Sequence, residues 1–349
     1  MHLSNRRKHD ELHRFLCFGG RYFNSTYISN SQSALHKQLL DIPNDRSLHS
    51  VPTPRGGGAA IVLVFIAAII ALMAADYIET QNAMILIGCG AIVALTGFLD
   101  DRQLLSHARS RLAMHFVAAV IAVSALDGLP TLPVFGTEVS LGIFGGILAT
   151  VYLVWLLNLF NFMDGIDGIS GAEVVSVCGA AAFLIHRTTH DNNLTSLPLA
   201  LAAATLGFLV FNWPPAKIFM GDVGSGFVGF IIGVFSLIAA DSVGSLGWVW
   251  VILLGVFIVD ATVTLIGRLV RKQKPHVAHR SHAFQHLALR FRSHKPVTIG
   301  VVAINVLWLL PIAFAVTEGR IDGFVGVLIA YTPLTIAALV FGAGTPSTN

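Results

Sequence analysis

Residues 58–78 read GAAIVLVFIAAIIALMAADYI, an apolar run whose single acid, Asp76, comes near its end. A helix needs roughly 20 mostly apolar residues to cross a bilayer, so this stretch reads as a membrane span. Comparable runs lie near 83–99, 111–127, 141–160, 169–187, 196–213, 224–241, 246–267, 297–317 and 321–343, for about ten spans in all. Composition agrees: of 349 residues, 54% are hydrophobic and 12% charged, and mean hydropathy is +0.73. Soluble domains carry about 25% charged residues. The fold expected is therefore all-α, a polytopic transmembrane helical bundle. Residues 1–50 form a polar N-terminal segment, 51–343 a single transmembrane domain and 344–349 a short tail.

Lysine and arginine fix the orientation. They crowd the N-terminal segment, the Arg102 to Arg111 loop and the Arg268 to Lys295 loop, with Lys217 between the sixth and seventh spans, while Arg187 and Arg320 alone occupy the alternate loops. Basic loops face the cytoplasm. Both termini are then cytoplasmic, and no cleavable signal peptide is expected. Cys17, Cys89 and Cys178 lack paired spacing, which excludes a disulfide framework and a CxxC metal site. The net charge of +3 is concentrated on this rim, where it attracts anionic headgroups and phosphorylated metabolites; no nucleic-acid partner is implied.

Span alternation gathers four polar motifs on that same side. Leu99-Asp100-Asp101-Arg102 ends the second span, where helix C-terminal carbonyls already disfavour carboxylates. Two ionised carboxylates about 6 Å apart repel by roughly 3 kcal/mol at an effective dielectric near 20, a penalty that a divalent cation or a basic partner reverses. The alternative is a solvated pair, or one matched to Arg102. In Asn161 to Gly168, Asp164 and Asp167 stand three apart with glycines beside them, which fits a polar site or an interhelical turn. Lys217 precedes Phe219-Met220-Gly221-Asp222-Val223-Gly224-Ser225-Gly226, where backbone amides could cradle a pyrophosphate. Equally, Asp222 could N-cap the next helix while Gly224 and Gly226 serve close packing. The last loop carries His276, His279, His282 and His286 among Arg271, Lys272, Arg280, Arg290 and Arg292, a setting that favours anions over a metal ion.

Together with Asp41-Ile42-Pro43-Asn44 and Pro52-Thr53-Pro54-Arg55-Gly56-Gly57-Gly58, these motifs resemble, in the same order, the prenyl-phosphate N-acetylhexosamine-1-phosphate transferases. That superfamily includes the undecaprenyl-phosphate GlcNAc-1-phosphate transferases and the phospho-MurNAc-pentapeptide translocase. The resemblance implies transfer of a sugar-1-phosphate from a UDP-N-acetylhexosamine to undecaprenyl phosphate, with release of UMP. The reaction would run with magnesium or manganese at the cytoplasmic face of a bacterial inner membrane. It also implies that Asp100, Asp101 and Asp222 are catalytic and metal-site residues and that His282 is catalytic. On the substrate side stand Asn161, Asp164, Asp167, Asn212, Lys217, Phe219 as a uracil-stacking position, His279 and Arg280. Whether Asp100 acts as a base or a ligand stays open, as do a covalent intermediate and a homodimer.

Two departures mark this chain. The family commonly ends its last motif in H-x-H-H, whereas His282-Ala283-Phe284-Gln285 keeps only the first histidine, a variant similar to the branch that starts O-antigen or other surface polysaccharides. The family also has a span before the D-x-P-N motif, whereas residues 1–40 are polar, so that span is expected to be missing. A membrane transporter with Asp260 as an intramembrane proton or ion site is the competing reading, together with an inactive scaffold for polysaccharide assembly. Transport predicts polar groups at the midplane and internal repeats, and no repeat is evident.

Overall fold

The computed structural model describes residues 40–41, 51–102, 104–105, 107–273 and 280–345. Residues 1–39, 42–50 and 346–349, including most of the polar N-terminal segment, Pro43-Asn44 and the end of the tail, lie outside the described residues, as do His276 and His279. The chain is an all-α membrane bundle. Its helices are α1 (Gly57–Ala74), α2 (Thr80–Asp101), α3 (Ala108–Ala125), α4 (Gly142–Met163), α5 (Ile169–Thr189) and α6 (Asn192–Asn212). They continue with α7 (Asp222–Ser242), α8 (Ser245–Leu253), α9 (Gly255–Val270), α10 (Ala283–Phe291), α11 (Lys295–Thr317) and α12 (Gly323–Val340).

Among the described residues, nine helices are long and apolar enough to cross a membrane, and α8 with α9, bent by 66°, supplies a tenth if counted as one broken span. The break falls at Leu254 and Gly255, inside the single run read from 246 to 267. α10 is a short helix beside the bundle, and α11 contains a π-turn at Asn305–Leu309. Among the described residues there are also two short antiparallel strand pairs, β1 (Leu40–Asp41) with β2 (Thr53–Pro54) and β3 (Leu132–Val134) with β4 (Thr137–Val139).

α7 is the axis of the bundle. Its whole apolar window is buried, unlike that of any other span among the described residues, because its glycines let neighbours reach the backbone. A Cβ on Gly229 would lie 2.6 Å from the Leu156 carbonyl oxygen, and one on Gly233 2.6 Å from Leu153 Cδ2, so α4 lies directly on this stripe. The Gly224 to Gly233 stripe is thus consumed inside one chain and offers nothing to a second copy. Outward faces carry Ile143, Phe144, Ile147 and Leu148 on α4, with Val117, Val120 and Ile121 on α3, all exposed. Apolar residues on the outside of a helix with its backbone bonds closed are what lipid requires.

Candidate active site

The ends of α2, α4, α6 and α9 and the starts of α1, α3, α5, α7 and α11 all lie at one end of the bundle, as alternation demands. The acidic motifs meet there. Asp101 closes α2, and its carboxylate accepts hydrogen bonds from the backbone N–H groups of Asp222 and Val223, both at 3.1 Å. The side chain of one span thereby caps the N-terminus of another, where a negative charge also meets the positive end of the helix dipole. Gly221 makes room: its φ of +73° is in the left-handed region, and a Cβ would stand 2.7 Å from Asp101 Oδ2. One turn back, Gly97 brings α2 so near that a Cβ would sit 2.4 Å from the Asp222 carbonyl oxygen.

Asp100, the adjacent acid, points elsewhere. It pairs with Arg111 of α3, not with Arg102, whose guanidinium stacks over Phe98 at 4.2 Å. Arg111 Nη1 also lies 3.7 Å from Asp222 Oδ2. Asp222 is within hydrogen-bonding reach of both Asp100 and Asn161, and Asn161 Nδ2 donates to Ser225 Oγ at 3.2 Å. The Asp222 side chain, 37% exposed, is the open member of this group, whereas Asp100 is 16% exposed.

The segment before α1 forms the opposite wall. Phe219 N–H donates to the Pro54 carbonyl at 2.8 Å, and the amides of Gly57 and Gly58 donate to Phe219 and Met220 oxygens at 2.9 Å. A Cβ on Gly58 would meet Gly224 Cα at 2.3 Å, so α1 and α7 cross in backbone contact. Gly224 and Ser225 N–H groups bond the Gly221 carbonyl, and those of Asp222 and Val223 bond Asp101. Close packing therefore accounts for the glycines, and the N–H groups of Phe219 and of Asp222 to Ser225 are bonded within the chain. Arg55 pairs with Asp41 at 2.9 Å. Burial works against its charge, but Asp41, Asp101 and Asp222 outweigh that and raise its pKa further.

The 164–168 loop is tied down on several sides. Asp167 accepts from Ala216 N–H at 3.0 Å and lies 3.2 Å from His294 Nδ1. Asn212 is 3% exposed and uses both ends of its amide: Gly168 N–H donates to its Oδ1 at 2.9 Å, and its Nδ2 donates to the Ile218 carbonyl at 2.8 Å. Asn212 and Asp167 thus join this loop to the 213–221 loop. Burial, opposed by the Ser170 hydroxyl and Arg55 and reinforced by the charges of Asp101 and Asp167, pushes the Asp164 carboxyl up to about 7.

His282, 3% exposed, sits 3.2 Å from Asp260. Asp260 also accepts from Ala283 and Phe284 N–H groups, both at 3.0 Å, and from the Thr264 hydroxyl at 3.1 Å. The acid considered as an intramembrane ion site is therefore the cap of α10 and the partner of His282. α10 in turn covers the 164–168 loop, since a Cβ on Gly165 would meet the Phe284 ring at 3.0 Å. His286 is separate, lining a surface pocket with Arg290. Lys217 is exposed and Phe219 and Arg280 are half-buried, in the loops that bound the site; His279 lies outside the described residues.

No three His, Cys, Asp or Glu side chains among the described residues form a ready-made metal cage. Two carboxylates at hydrogen-bonding distance with one more exposed edge do match magnesium, which commonly takes one or two carboxylates and fills its octahedron with water and substrate phosphate. Arg111, Arg55 and His294 had not been singled out as site residues. The signals were present: Arg111 is a cation at the very start of an apolar span, and Arg55 precedes three glycines.

Comparison with known proteins shows the family. Residues 83–240 match the model of glycosyl transferase family 4. A probable undecaprenyl-phosphate N-acetylglucosaminyl 1-phosphate transferase of Bacillus subtilis is 32% identical over 80% of this chain and 76% of its own length. The chain belongs to glycosyl transferase family 4. A decaprenyl-phosphate N-acetylglucosaminephosphotransferase of Mycobacterium tuberculosis is 28% identical over 86% of this chain and 78% of its own length. A phospho-N-acetylmuramoyl-pentapeptide-transferase of Bacillus licheniformis is 32% identical over 60% of this chain and 66% of its own length. This family 4 member is a multi-pass membrane phosphotransferase, and its matched region runs from α2 to α7, the helices that bring Asp100, Asp101, Asn161, Asp164 and Asp222 together.

Proposed function

We propose that this chain transfers an N-acetylhexosamine-1-phosphate from a UDP-sugar to undecaprenyl phosphate at the cytoplasmic face of a bacterial inner membrane. The observation that carries the reading is the meeting of Asp100, Asp222 and Asn161 with Arg111 and Arg55 at one end of a membrane bundle. An anionic lipid and a nucleotide diphosphate need such a mixed-charge surface. The second pKa of a phosphate monoester is near 6, so most of the lipid phosphate is already dianionic at neutral pH and needs little help from a base. Its oxygen attacks the sugar-linked phosphorus, the bond to the bridging oxygen breaks, and that oxygen leaves with its electron pair on UMP.

Asp222 and Asp100 are the residues that would hold magnesium or manganese, which when bound would neutralise the diphosphate. Asp101 fixes Asp222 by clamping the start of α7, so its role is positioning. Asn161 orients Asp222 from α4. Arg111 and Arg55 lower the repulsion between the two anions, and Arg280 and Lys217 add positive charge at the rim. Phe219 offers a ring to the uracil. His282, buried and held by Asp260, sets the start of α10 over the Asp164 loop.

The variant His282-Ala283-Phe284-Gln285 supports a product that starts O-antigen or another surface polysaccharide, in place of a peptidoglycan precursor. A donor panel with purified polyprenyl phosphate, reading UMP and lipid product together, tests both the reaction and the sugar. Asp222→Asn is expected to lower turnover on the order of a hundredfold or more. Near-native turnover of that variant at saturating metal would remove Asp222 from the proposed ion site.

A further inference from the structure

The part of the bundle that the reaction leaves unused is the polar stripe on α11. His294, Thr298 and Asn305 stand four and seven residues apart, which puts them on one helical face. At the site end, His294 Nδ1 lies 3.2 Å from the Asp167 carboxylate and 3.2 Å from its backbone nitrogen, and Thr298 Oγ1 donates to the Asp167 carbonyl at 2.9 Å. Deeper in the bundle, Asn305 Nδ2 donates to Glu173 Oε2 at 2.7 Å and contacts Ser176 Oγ at 2.9 Å. Glu173 is fully buried within α5, the helix that the 164–168 loop leads into.

A carboxyl inside a membrane span is costly and is kept where it has a task. Two acceptors in this pair, Glu173 Oε1 and Asn305 Oδ1, are buried with no hydrogen-bond partner. A donor on the Glu173 side chain would pair these two acceptors and make the contact reciprocal. The π-turn begins at Asn305 itself, a local widening that commonly marks functional positions.

We infer that α11 is a positioning strut for the 164–168 loop, which Asp167 and Asn212 tie to the segment carrying Phe219, the ring proposed for the uracil, and hence to the donor side: Asn305 and Glu173 lock α11 to α5 in the membrane, and Thr298 and His294 deliver that register to Asp167. This inference rests on the proposed transferase reaction. Glu173, His294, Thr298 and Asn305 act only through Asp167 and its loop, so the consequence is a change in donor binding and not in the chemical step.

The test measures UMP release from membranes or purified protein, with separate KM values for the UDP-sugar and the lipid phosphate. Asn305→Leu is expected to raise the donor KM on the order of tenfold with little change in the acceptor KM, because a small misplacement of a binding loop is enough. Thr298→Val, which deletes only the bond to the Asp167 carbonyl, is expected to raise it severalfold. Glu173→Gln restores a reciprocal amide–amide pair and is expected to keep the wild-type values. If Asn305→Leu fails to fold, Thr298→Val decides. Unchanged donor KM in the folded variants, or equal losses in both KM values, would overturn the strut. Wild-type protein that releases no UMP under any donor would instead overturn the reaction itself.

Discussion

Asp100 and Asp101 are neighbours in sequence with opposite expected behaviour, and replacing each by asparagine separates them. Asp101 accepts two backbone hydrogen bonds, both at 3.1 Å. Asparagine keeps one oxygen, so one bond weakens from charged to neutral, at a loss of about 1 kcal/mol. The other N–H is left facing an amide donor, at about 1–3 kcal/mol. Losing the charge at the α7 terminus adds roughly 0.5 kcal/mol. The sum is about 3 kcal/mol, or roughly 5 °C in apparent Tm for a chain of this size. Asp100 instead makes a half-exposed ion pair with Arg111, of the kind worth about 0–1 kcal/mol. Asp100→Asn is therefore expected to melt within about 2 °C of wild type while losing turnover. Asp101→Asn loses both, with turnover down about a hundredfold because Asp222 moves with the helix start. Thermal unfolding in detergent and UMP release on the same preparations measure the two quantities. An Asp101→Asn protein as stable as wild type, or an Asp100→Asn protein less stable than it, refutes the division of roles.

Three further outcomes follow from the geometry. Asp164, with its carboxyl pushed up to about 7, holds a proton that an unfolded chain releases near pH ~4. Its contribution to stability is thus fully present below pH ~4, falls as pH rises and is lost as pH passes through 7, so the stability of Asp164→Asn relative to wild type should improve from pH 5 to 8, by at most about 3 kcal/mol. Asp260→Asn leaves one α10 N–H facing an amide donor and removes the charge opposite His282, and should cost about 2–3 kcal/mol by thermal unfolding, with a fall in UMP release measured on the same preparation. Gly58→Ala drives a Cβ to 2.3 Å from Gly224 Cα and should abolish folded yield, whereas Gly88→Ala, with nothing within 4 Å, should leave Tm unchanged or slightly raised.

The number of spans and the gathering of the motifs at one end of the bundle were legible because both follow from long apolar runs and strict alternation. What was not legible were pairings across spans. Adjacent residues on a helix project about 100° apart, so the Asp100-Asp101 dipeptide sends one carboxylate to α3 and the other to α7, a split that no spacing rule shows. Asp260 looked like an ion site because a lone acid in an apolar run has no local partner; its partners, His282, Ala283 and Phe284, come more than twenty residues later across a turn. Asn305 was hidden for the same reason, as a single amide inside a span. The break at Leu254 and Gly255 lacks a proline, and one glycine in an apolar run is not a sufficient signal for a bend.

A site built on helix ends has a consequence that a site built on loops would not share. Asp222 begins the most enclosed helix of the bundle, and three independent contacts fix where it begins: the Asp101 clamp, the Gly97 approach and the Gly58 crossing. The two glycine contacts are backbone against backbone, which cannot adjust by changing rotamer, and the Asp101 carboxylate ends on backbone N–H groups. The open carboxylate is therefore held by rigid elements, as a metal or phosphate site requires, and the glycines of α7 do two tasks with one pattern. They let α1 and α4 close on the axis, and the closure sets the height at which Asp222 emerges. Lipid-facing α3 and α4 can vary their outer residues freely as long as they stay apolar, whereas a single added methyl at Gly58 or Gly97 displaces the acid itself.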